Sequence, residues 1–220
     1  MNYKKNLIVI IPALEENRYS KIGDLERFGG TSLLEWKVSQ ARDIKKYNKL
    51  FVATPSKKIT KICKNLGIKT LLRKKNESLD LFHKNISLKF KGKLLMFLNP
   101  TSPFISQNLL NNILTKFSKL DKKYDSLCTV LENNQYFFYN KKSINFDFNE
   151  KSISRAKLKP VHNLTNGVHL IRSDVCNEKN NIIGNKPFFY KVNWLNSLEI
   201  QNFRDIKAMS FLIKYYFETV

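Results

Sequence analysis

The chain has 220 residues, a formal net charge of +21 and an apolar fraction of 42%. This length fits one large domain, and 16 phenylalanines supply enough apolar surface for a sizeable core. No apolar run approaches the ~20 residues of a membrane span, so no association with a membrane is expected. The apolar run near the start breaks at Pro12, too early for the ~7–15-residue core of a signal peptide, so a buried strand is predicted there.

The positive charge does not favour nucleic-acid binding, because the excess is mostly lysine spread along the chain without an arginine-rich cluster. A phosphate-bearing small substrate would also profit from a positive field. Cys63, Cys128 and Cys176 are odd in number and lack paired spacing, and no zinc pattern surrounds the three histidines. Reduced, buried thiols in a cytoplasmic protein are therefore expected.

In the first part of the chain, strands are predicted where short aliphatic runs occur, and helices where apolar residues recur three or four positions apart. The predicted strands are 7–12, 49–54, 68–72 and 93–98. The predicted helices, with capping serines at Ser32, Ser56 and Ser106, are 32–44, 57–66, 79–88 and 107–120. Strands that alternate with helices indicate βαβ units and a mostly parallel sheet.

After about Ser126 the pattern changes to strands and an aromatic hairpin. Strands are predicted at 126–131, 166–171 and 188–192, a hairpin at 136–149 and a last helix at 203–216. Trp36 and Trp194 are predicted to lie in the core. The predicted fold class is α/β: a Rossmann-like single domain over 1–220, with helices on both faces of a mostly parallel sheet and a small antiparallel excursion at 135–165.

Ligands of such sheets bind beyond the carboxyl ends of the strands. The segments that leave those ends are the loop after Pro12, "TPSKK", "RKKNES" and "NPTSP", and they should converge on one crevice. The first of these loops is not a Walker A motif, because Gly30 and Thr31 stand where Lys and Ser or Thr are required. Its cations Arg18 and Lys21 are candidates to hold phosphate, with solvated surface charge as the alternative.

Four motifs, in order, resemble those of the acylneuraminate cytidylyltransferases, the CMP-sialic acid synthetase family, to which CMP-Kdo synthetases are related. They are "IPALEENRYSKIGDLERFGGTSLL", "LNPTSPF", "NGVHL" and "LEIQNFRD". The family counterparts are Ile-Pro-Ala-Arg-Gly-Gly-Ser-Lys through Leu-Gly-Gly-Lys-Pro-Leu, Leu-Gln-Pro-Thr-Ser-Pro-Leu, Asn-Gly-Ala-Ile-Tyr and Ile-Asp-Ile-Asp-Thr-Pro-Glu-Asp. The resemblance runs from Leu7 to about Leu212.

The resemblance implies transfer of a cytidylyl group from CTP to an acidic sugar, with release of pyrophosphate and assistance from Mg²⁺. It also implies a homodimer with the excursion as the probable contact, and a role in surface-polysaccharide synthesis. Catalysis would consist of charge neutralisation and positioning.

Residue by residue, the resemblance places Arg18 and Lys21 at the phosphates as catalytic cations. The nucleotide would contact Pro12, Ala13, Asn17, Arg73 and Ser78. The sugar would contact Asn99, Thr101 and Asn166, and Arg155 could reach its acidic group or be a solvated charge. Glu199 and Gln201 would hold the metal.

The chain departs from the family pattern at several of these positions. Leu14 replaces an arginine, Gly23 and Asp24 replace Lys-Asn, and the metal-binding pair of carboxylates becomes Glu199 and Gln201. Mg²⁺ is usually held through one or two carboxylates. Three hypotheses therefore stay open: a CMP-sugar synthetase, a catalytically silent homologue that binds a nucleotide or a partner, and a basic RNA-associated protein. "NPTSP" and Asn166-Gly167 also have alternative interpretations as simple turns.

Overall fold

The computed structural model describes residues 6–42, 44, 49–147 and 154–218. Its strands are β1 (Leu7–Pro12), β2 (Arg27–Phe28), β3 (Thr31–Ser32), β4 (Lys49–Thr54), β5 (Lys69–Leu72), β6 (Leu94–Leu98), β7 (Ser126–Asn133), β8 (Phe138–Tyr139), β9 (Lys142–Ser143), β10 (Val161–Arg172) and β11 (Pro187–Val192). Its helices are α1 (Leu33–Arg42), α2 (Lys57–Asn65), α3 (Leu79–Lys89), α4 (Gln107–Ser118), α5 (Ser173–Lys179), α6 (Trp194–Ser197), α7 (Phe203–Phe211) and α8 (Ile213–Glu218).

Seven strands form one sheet in the order β11-β7-β10-β6-β1-β4-β5. The pairs β1–β4, β1–β6, β4–β5 and β7–β11 are parallel, and β10 runs antiparallel to both β6 and β7. The predicted α/β fold with a mostly parallel sheet is confirmed. β6, β1, β4 and β5 are consecutive parallel neighbours, so the loops after them leave from one edge.

Helices cover both faces of the sheet, and β1 is accordingly apolar at every position. Leu7, Val9 and Ile11 point into one core cluster, which includes residues of α1, α2 and α4. Ile8 and Ile10 point into a second cluster, which includes residues of α3 and α5. A third cluster joins α1 to α6, α7 and α8. No helix in the described ranges has the length and apolar character needed to cross a membrane.

The predicted capping serines are found at the starts of three helices. Ser56 and Ser106 accept hydrogen bonds from the backbone N–H groups of Ile59 and Leu109, at the starts of α2 and α4. At α1, the Ser32 hydroxyl accepts from the Glu35 N–H while the Glu35 carboxylate accepts from the Ser32 N–H. This is the reciprocal capping box that the spacing predicts.

Some predictions about elements are wrong. The last predicted helix is divided at Leu212 into α7 and α8, and the sequence pattern does not predict α5 and α6. β10 begins at Val161, so the end of the predicted excursion belongs to the main sheet, although β8 and β9 form the expected hairpin. Residues 148–153 of the excursion lie outside the described residues. Trp36 is buried as predicted, but 55% of Trp194 is exposed because it begins the short helix α6 at the surface.

Candidate active site

The loop after β1 folds back onto the end of its own strand. The Leu14 N–H donates to the Asp24 carboxylate (2.8 Å) and the Asp24 N–H donates to the Leu14 carbonyl (2.9 Å). The Tyr19 hydroxyl also donates to Asp24. Burial raises the pKa of Asp24 to about 6, against the lowering effect of these hydrogen bonds. Asp24, one of the departures from the family pattern, therefore closes this loop.

The tip of the loop presents the two predicted phosphate-binding cations. The side-chain oxygen of Asn17 accepts hydrogen bonds from the N–H groups of Tyr19 (3.2 Å) and Ser20 (3.1 Å), which holds the turn in place. Arg18 and Lys21 are exposed and line one cavity of about 510 Å³. Phe203, at the start of α7, lines the same cavity. In the described part of the chain, neither cation forms an ion pair with a carboxylate.

The loop after β1 is tied to the loop after β4, since the Ser56 hydroxyl donates to the Glu15 carboxylate. Ala13 donates its N–H to the Ala53 carbonyl (2.9 Å), and Pro12 lies opposite Ala53 in the register of β1 and β4. The predicted nucleotide-binding residues Pro12 and Ala13 thus lie at the carboxyl edge of the sheet.

Arg73 and Ser78 lie at the same edge, in the loop between β5 and α3. The Arg73 guanidinium donates to the Glu77 carbonyl (3.2 Å), lies 3.8 Å from the Glu77 carboxylate and stacks 4.6 Å from the centre of the Phe82 ring. Burial lowers the pKa of Arg73, and Glu77 opposes this shift. Ser78 caps α3 by accepting from the Leu81 N–H (3.3 Å). Both predicted nucleotide-binding residues therefore already have partners within the protein, and these contacts shape the loop.

Three predicted residues from different elements form a hydrogen-bonded chain. The Asn99 side-chain amide donates to the Asn166 carbonyl (3.0 Å), and the Asn166 amide donates to the Glu199 carboxylate (2.7 Å). Asn99 follows β6, Asn166 lies in β10, and Glu199 lies between α6 and α7. The structure therefore brings the predicted sugar-binding and metal-binding residues together.

A bulge in β10 places Asn166 in this chain. Five steps along β10, from Leu164 to His169, correspond to two steps along β7. Thr129 fills the gap, accepting from the Thr165 hydroxyl (2.7 Å) and the Val168 N–H (3.0 Å). Such bulges re-aim side chains beside functional sites. Asn166-Gly167 is accordingly a bulge within a strand, and the interpretation as a hairpin turn is wrong.

The segment with the two predicted metal ligands is anchored by the residue between them. Ile200 is 1% exposed and donates its N–H to the Thr101 carbonyl (2.8 Å), so predicted residue Thr101 contributes through its backbone. Gln201 donates its N–H to Asp205 (2.7 Å) at the start of α7. With Ile200 in the core, its neighbours Glu199 and Gln201 are the less buried positions of the segment.

One carboxylate and one amide carbonyl fit Mg²⁺ if substrate phosphates complete its shell, since this ion is commonly bound through one or two carboxylates plus phosphates and water. In the described residues, no group of three or more His, Cys, Asp or Glu side chains is arranged to hold a metal ion. Glu199 and Gln201 would therefore depend on a bound nucleotide to complete a magnesium site.

Arg155 lies in a short 3₁₀ helix, Arg155–Lys157, within the excursion, and its side chain is exposed. Its role toward an acidic sugar stays a prediction. The residues that sequence reasoning missed are Tyr19, Asp24 and Glu15, which hold the first loop. Their partners lie five to 41 positions away, and no local spacing rule predicts such pairs.

Known protein families and solved structures show what this chain is similar to. The sequence profile of a family described as cytidylyltransferase matches residues 23–211. Among curated protein sequences, none matches the chain. Solved structures with the same fold include CMP:2-keto-3-deoxy-manno-octonic acid synthetase complexed with CTP (TM-score 0.71, 11% identity, 96% of this chain and 99% of that one), 4-diphosphocytidyl-2C-methyl-D-erythritol synthase from Anaerococcus prevotii (0.69, 11%, 96% and 99%) and a cytidylyltransferase from Leptospira borgpetersenii serovar Hardjo-bovis (0.66, 14%, 96% and 87%).

At these identities the structural likenesses show the fold alone. The family profile covers most of the chain, including the end of the first loop, "NPTSP", "NGVHL" and the Glu199 segment. The chain belongs to the cytidylyltransferase family.

Proposed function

We propose that this protein is a nucleotidyltransferase that moves the cytidylyl group of CTP onto a hydroxyl of an acidic sugar. The observation that carries the proposal is the hydrogen-bonded chain Asn99–Asn166–Glu199 at the carboxyl edge of the sheet. It links two amide side chains suited to a sugar with a carboxylate suited to a phosphate-bound cation. The loop with Arg18 and Lys21 leaves from the same edge.

In the proposed reaction, the sugar hydroxyl attacks the α-phosphorus of CTP and its proton passes to solvent water. A new P–O bond forms, the bond to the β-phosphate oxygen breaks, and pyrophosphate leaves with that electron pair. Arg18 and Lys21 would neutralise the phosphate charge that limits this attack. Mg²⁺, when bound by Glu199, Gln201 and the nucleotide, would supply further neutralisation. Pro12 and Ala13 would contact the base through their backbone groups.

The acceptor is proposed to be an acidic sugar because four motifs resemble those of the acidic-sugar cytidylyltransferases and because one structural neighbour is a CMP:2-keto-3-deoxy-manno-octonic acid synthetase. A role in surface-polysaccharide synthesis and a cytoplasmic site of action are parts of the same proposal. The alternative is a silent homologue that binds a nucleotide without turnover. It is favoured by one observation, the amide Gln201 where a second carboxylate is expected.

Thermal unfolding with each of the four NTPs and Mg²⁺ tests the nucleotide. We expect CTP to stabilise the fold most, by roughly 2.7 kcal/mol at 100 times Kd. Equal stabilisation by all four NTPs, or no stabilisation by any of them, would contradict the proposal that the nucleotide is CTP. Pyrophosphate release should then be measured with acidic sugars and, for comparison, with polyol phosphates, which would yield a diphosphocytidyl product.

Two substitutions at the predicted metal pair separate the enzyme from the silent homologue. Glu199→Gln should abolish Mg²⁺-dependent pyrophosphate release, because it removes the carboxylate there. Gln201→Asp should raise Mg²⁺ affinity, because it restores a second anion beside a hard cation. If the wild type releases no pyrophosphate with any acceptor and Gln201→Asp creates no activity, the enzyme proposal is wrong.

The homodimer is proposed with contacts from the excursion. Tyr139 and Ile144, at the β8–β9 hairpin, are 71% and 57% exposed, which supports a partner surface there. Sedimentation of the wild type and of a Tyr139→Ser, Ile144→Ser variant measures the oligomeric state. A monomeric wild type contradicts this proposal.

A further inference from the structure

A lysine lies in the core beside the candidate active site. Lys37, in α1, is 0% exposed, and its Nζ donates to the Ser102 carbonyl at 2.7 Å. In the described part of the chain no carboxylate forms an ion pair with it. Burial alone lowers the pKa of Lys37 to about 7. A buried ammonium group with one neutral acceptor destabilises a fold, and an apolar side chain of similar volume would fit the site at less cost.

The contact of Lys37 is one of three that hold the same loop. Trp36 Nε1 and Gln40 Nε2 both donate to the Pro103 carbonyl, at 2.7 Å and 2.6 Å. Side chains of one helix thus fix two consecutive carbonyl groups of "NPTSP". Of these three side chains, Lys37 holds the Ser102 carbonyl, which lies closer in the chain to the candidate active-site residues.

This loop connects the core to the candidate active site. Its first residue, Asn99, begins the hydrogen-bonded chain to Asn166. The Thr101 carbonyl, next to Ser102, accepts from the Ile200 N–H and so sets the position of Glu199. A shift of Ser102 would therefore move both ends of the chain Asn99–Asn166–Glu199.

We propose that Lys37 is a positioning residue of this active site: by holding the Ser102 carbonyl, it fixes the loop that places Asn99 and Glu199. Only the expected effect of Lys37 on turnover rests on the proposed function. The placement of the loop itself can be measured without any substrate. A misplacement of about 1 Å at such a site can lower a rate roughly 100-fold.

The test compares Lys37→Met with the wild type and with Lys61→Met, the same change at an exposed lysine of α2. Amide hydrogen exchange of the nucleotide-free protein is read at Ile200, which reports the loop, and at Ala13, which reports the neighbouring strand end. Thermal unfolding, CTP affinity and, if the wild type turns over, kcat are measured on the same variants.

Three results are expected for Lys37→Met. Exchange at Ile200 becomes at least several-fold faster while exchange at Ala13 stays unchanged. The melting temperature is equal or higher, because a buried charge has been removed. In an active enzyme, kcat decreases roughly 10- to 100-fold with CTP affinity unchanged, and Lys61→Met behaves as wild type.

Unchanged exchange at Ile200 overturns the proposal. So does a lower melting temperature with faster exchange at both Ile200 and Ala13, because that pattern is a general loss of packing. Unchanged kcat in an active enzyme overturns it as well. If the wild type is inactive but Ile200 alone loses protection, the loop-positioning role of Lys37 is supported while the proposed function fails.

Discussion

At the scale of single residues, the site divides into side chains that are free to bind and side chains that already hold the protein together. Arg18 and Lys21 are exposed and have no carboxylate partner in the described ranges. Arg73 is held by Glu77 and Phe82. A ligand can therefore recruit Arg18 at little cost to the fold, whereas it would have to replace existing contacts of Arg73.

Arg18→Ala should weaken CTP binding and leave the nucleotide-free protein as stable as the wild type. Hydrogen bonds to charged groups contribute about 1.5–3 kcal/mol, so Kd should increase roughly 10- to 150-fold. Titration calorimetry measures the affinity and thermal unfolding measures the stability. Arg172→Ala is the control, since Arg172 pairs with Asp174 at the far end of β10. A large loss of stability with unchanged affinity would make Arg18 a structural residue.

At the scale of elements, the first loop depends on one close backbone approach. Gly23 has φ +53°, and a Cβ atom there would lie 2.2 Å from the Leu14 carbonyl oxygen. That carbonyl is the one that accepts from the Asp24 N–H. A side chain at Gly23 would therefore separate Leu14 from Asp24 and open the loop that carries Arg18.

Gly23→Ala should destabilise the protein more than Gly30→Ala does. Gly30 also has a positive φ (+82°), but a Cβ atom there would meet no described atom within 4 Å, so only backbone strain of about 1 kcal/mol is expected. At Gly23 the clash adds to the same strain. Urea unfolding of both variants measures the difference, and CTP affinity should decline only for Gly23→Ala. Equal losses in the two variants would show that the contact with Leu14 is unimportant.

The elements were predictable where local chemistry decides them. β1 is a continuous apolar run and β4 contains one at 50–53, and Ser56 and Ser106 cap the helices that follow β4 and β6. The bulge in β10 was not predictable, because it depends on Thr129 of another strand. Lys37 shows a third case: it is buried in α1, three residues after the buried Leu34, but the local sequence does not reveal its acceptor, the Ser102 carbonyl.

The candidate site was predictable to the extent that its residues follow strand ends. Asn99 and Arg73 were placed at the correct edge for this reason. The contact of Asn166 with Glu199 joins residues 33 positions apart, and it depends on the packing of Ile200 beneath the loop at Thr101. Sequence motifs identified these residues, and the physical link between them came from the tertiary structure.

At the scale of the whole molecule, buried titratable groups make stability depend on pH. His83 and His169 lie in the layer between the sheet and α3, each with a pKa lowered to about 4, chiefly by burial. Neither ring nitrogen of His169 has a hydrogen-bond partner among the described residues. Unfolded histidines bind protons below about pH 6.5, whereas the folded-state histidines stay unprotonated until the pH approaches 4. Between these two pH values the unfolded state therefore binds more protons than the folded state. Stability from these groups is full above pH 6.5 and is lost as pH falls toward 4.

His169→Phe should reduce this acid sensitivity. At pH 5 a histidine shifted from 6.5 to about 4 contributes about 2 kcal/mol of destabilisation relative to pH 7.5. The free energy of unfolding in urea should therefore decline by about 2 kcal/mol less in the variant than in the wild type. Asp24, whose pKa is raised to about 6, acts in the opposite direction but equally in both proteins. His162→Gln, at a partly exposed histidine beside Glu132, is the control. If the free energy of unfolding of His169→Phe and of the wild type declines equally between pH 7.5 and 5, the pKa of His169 is not lowered in the folded state.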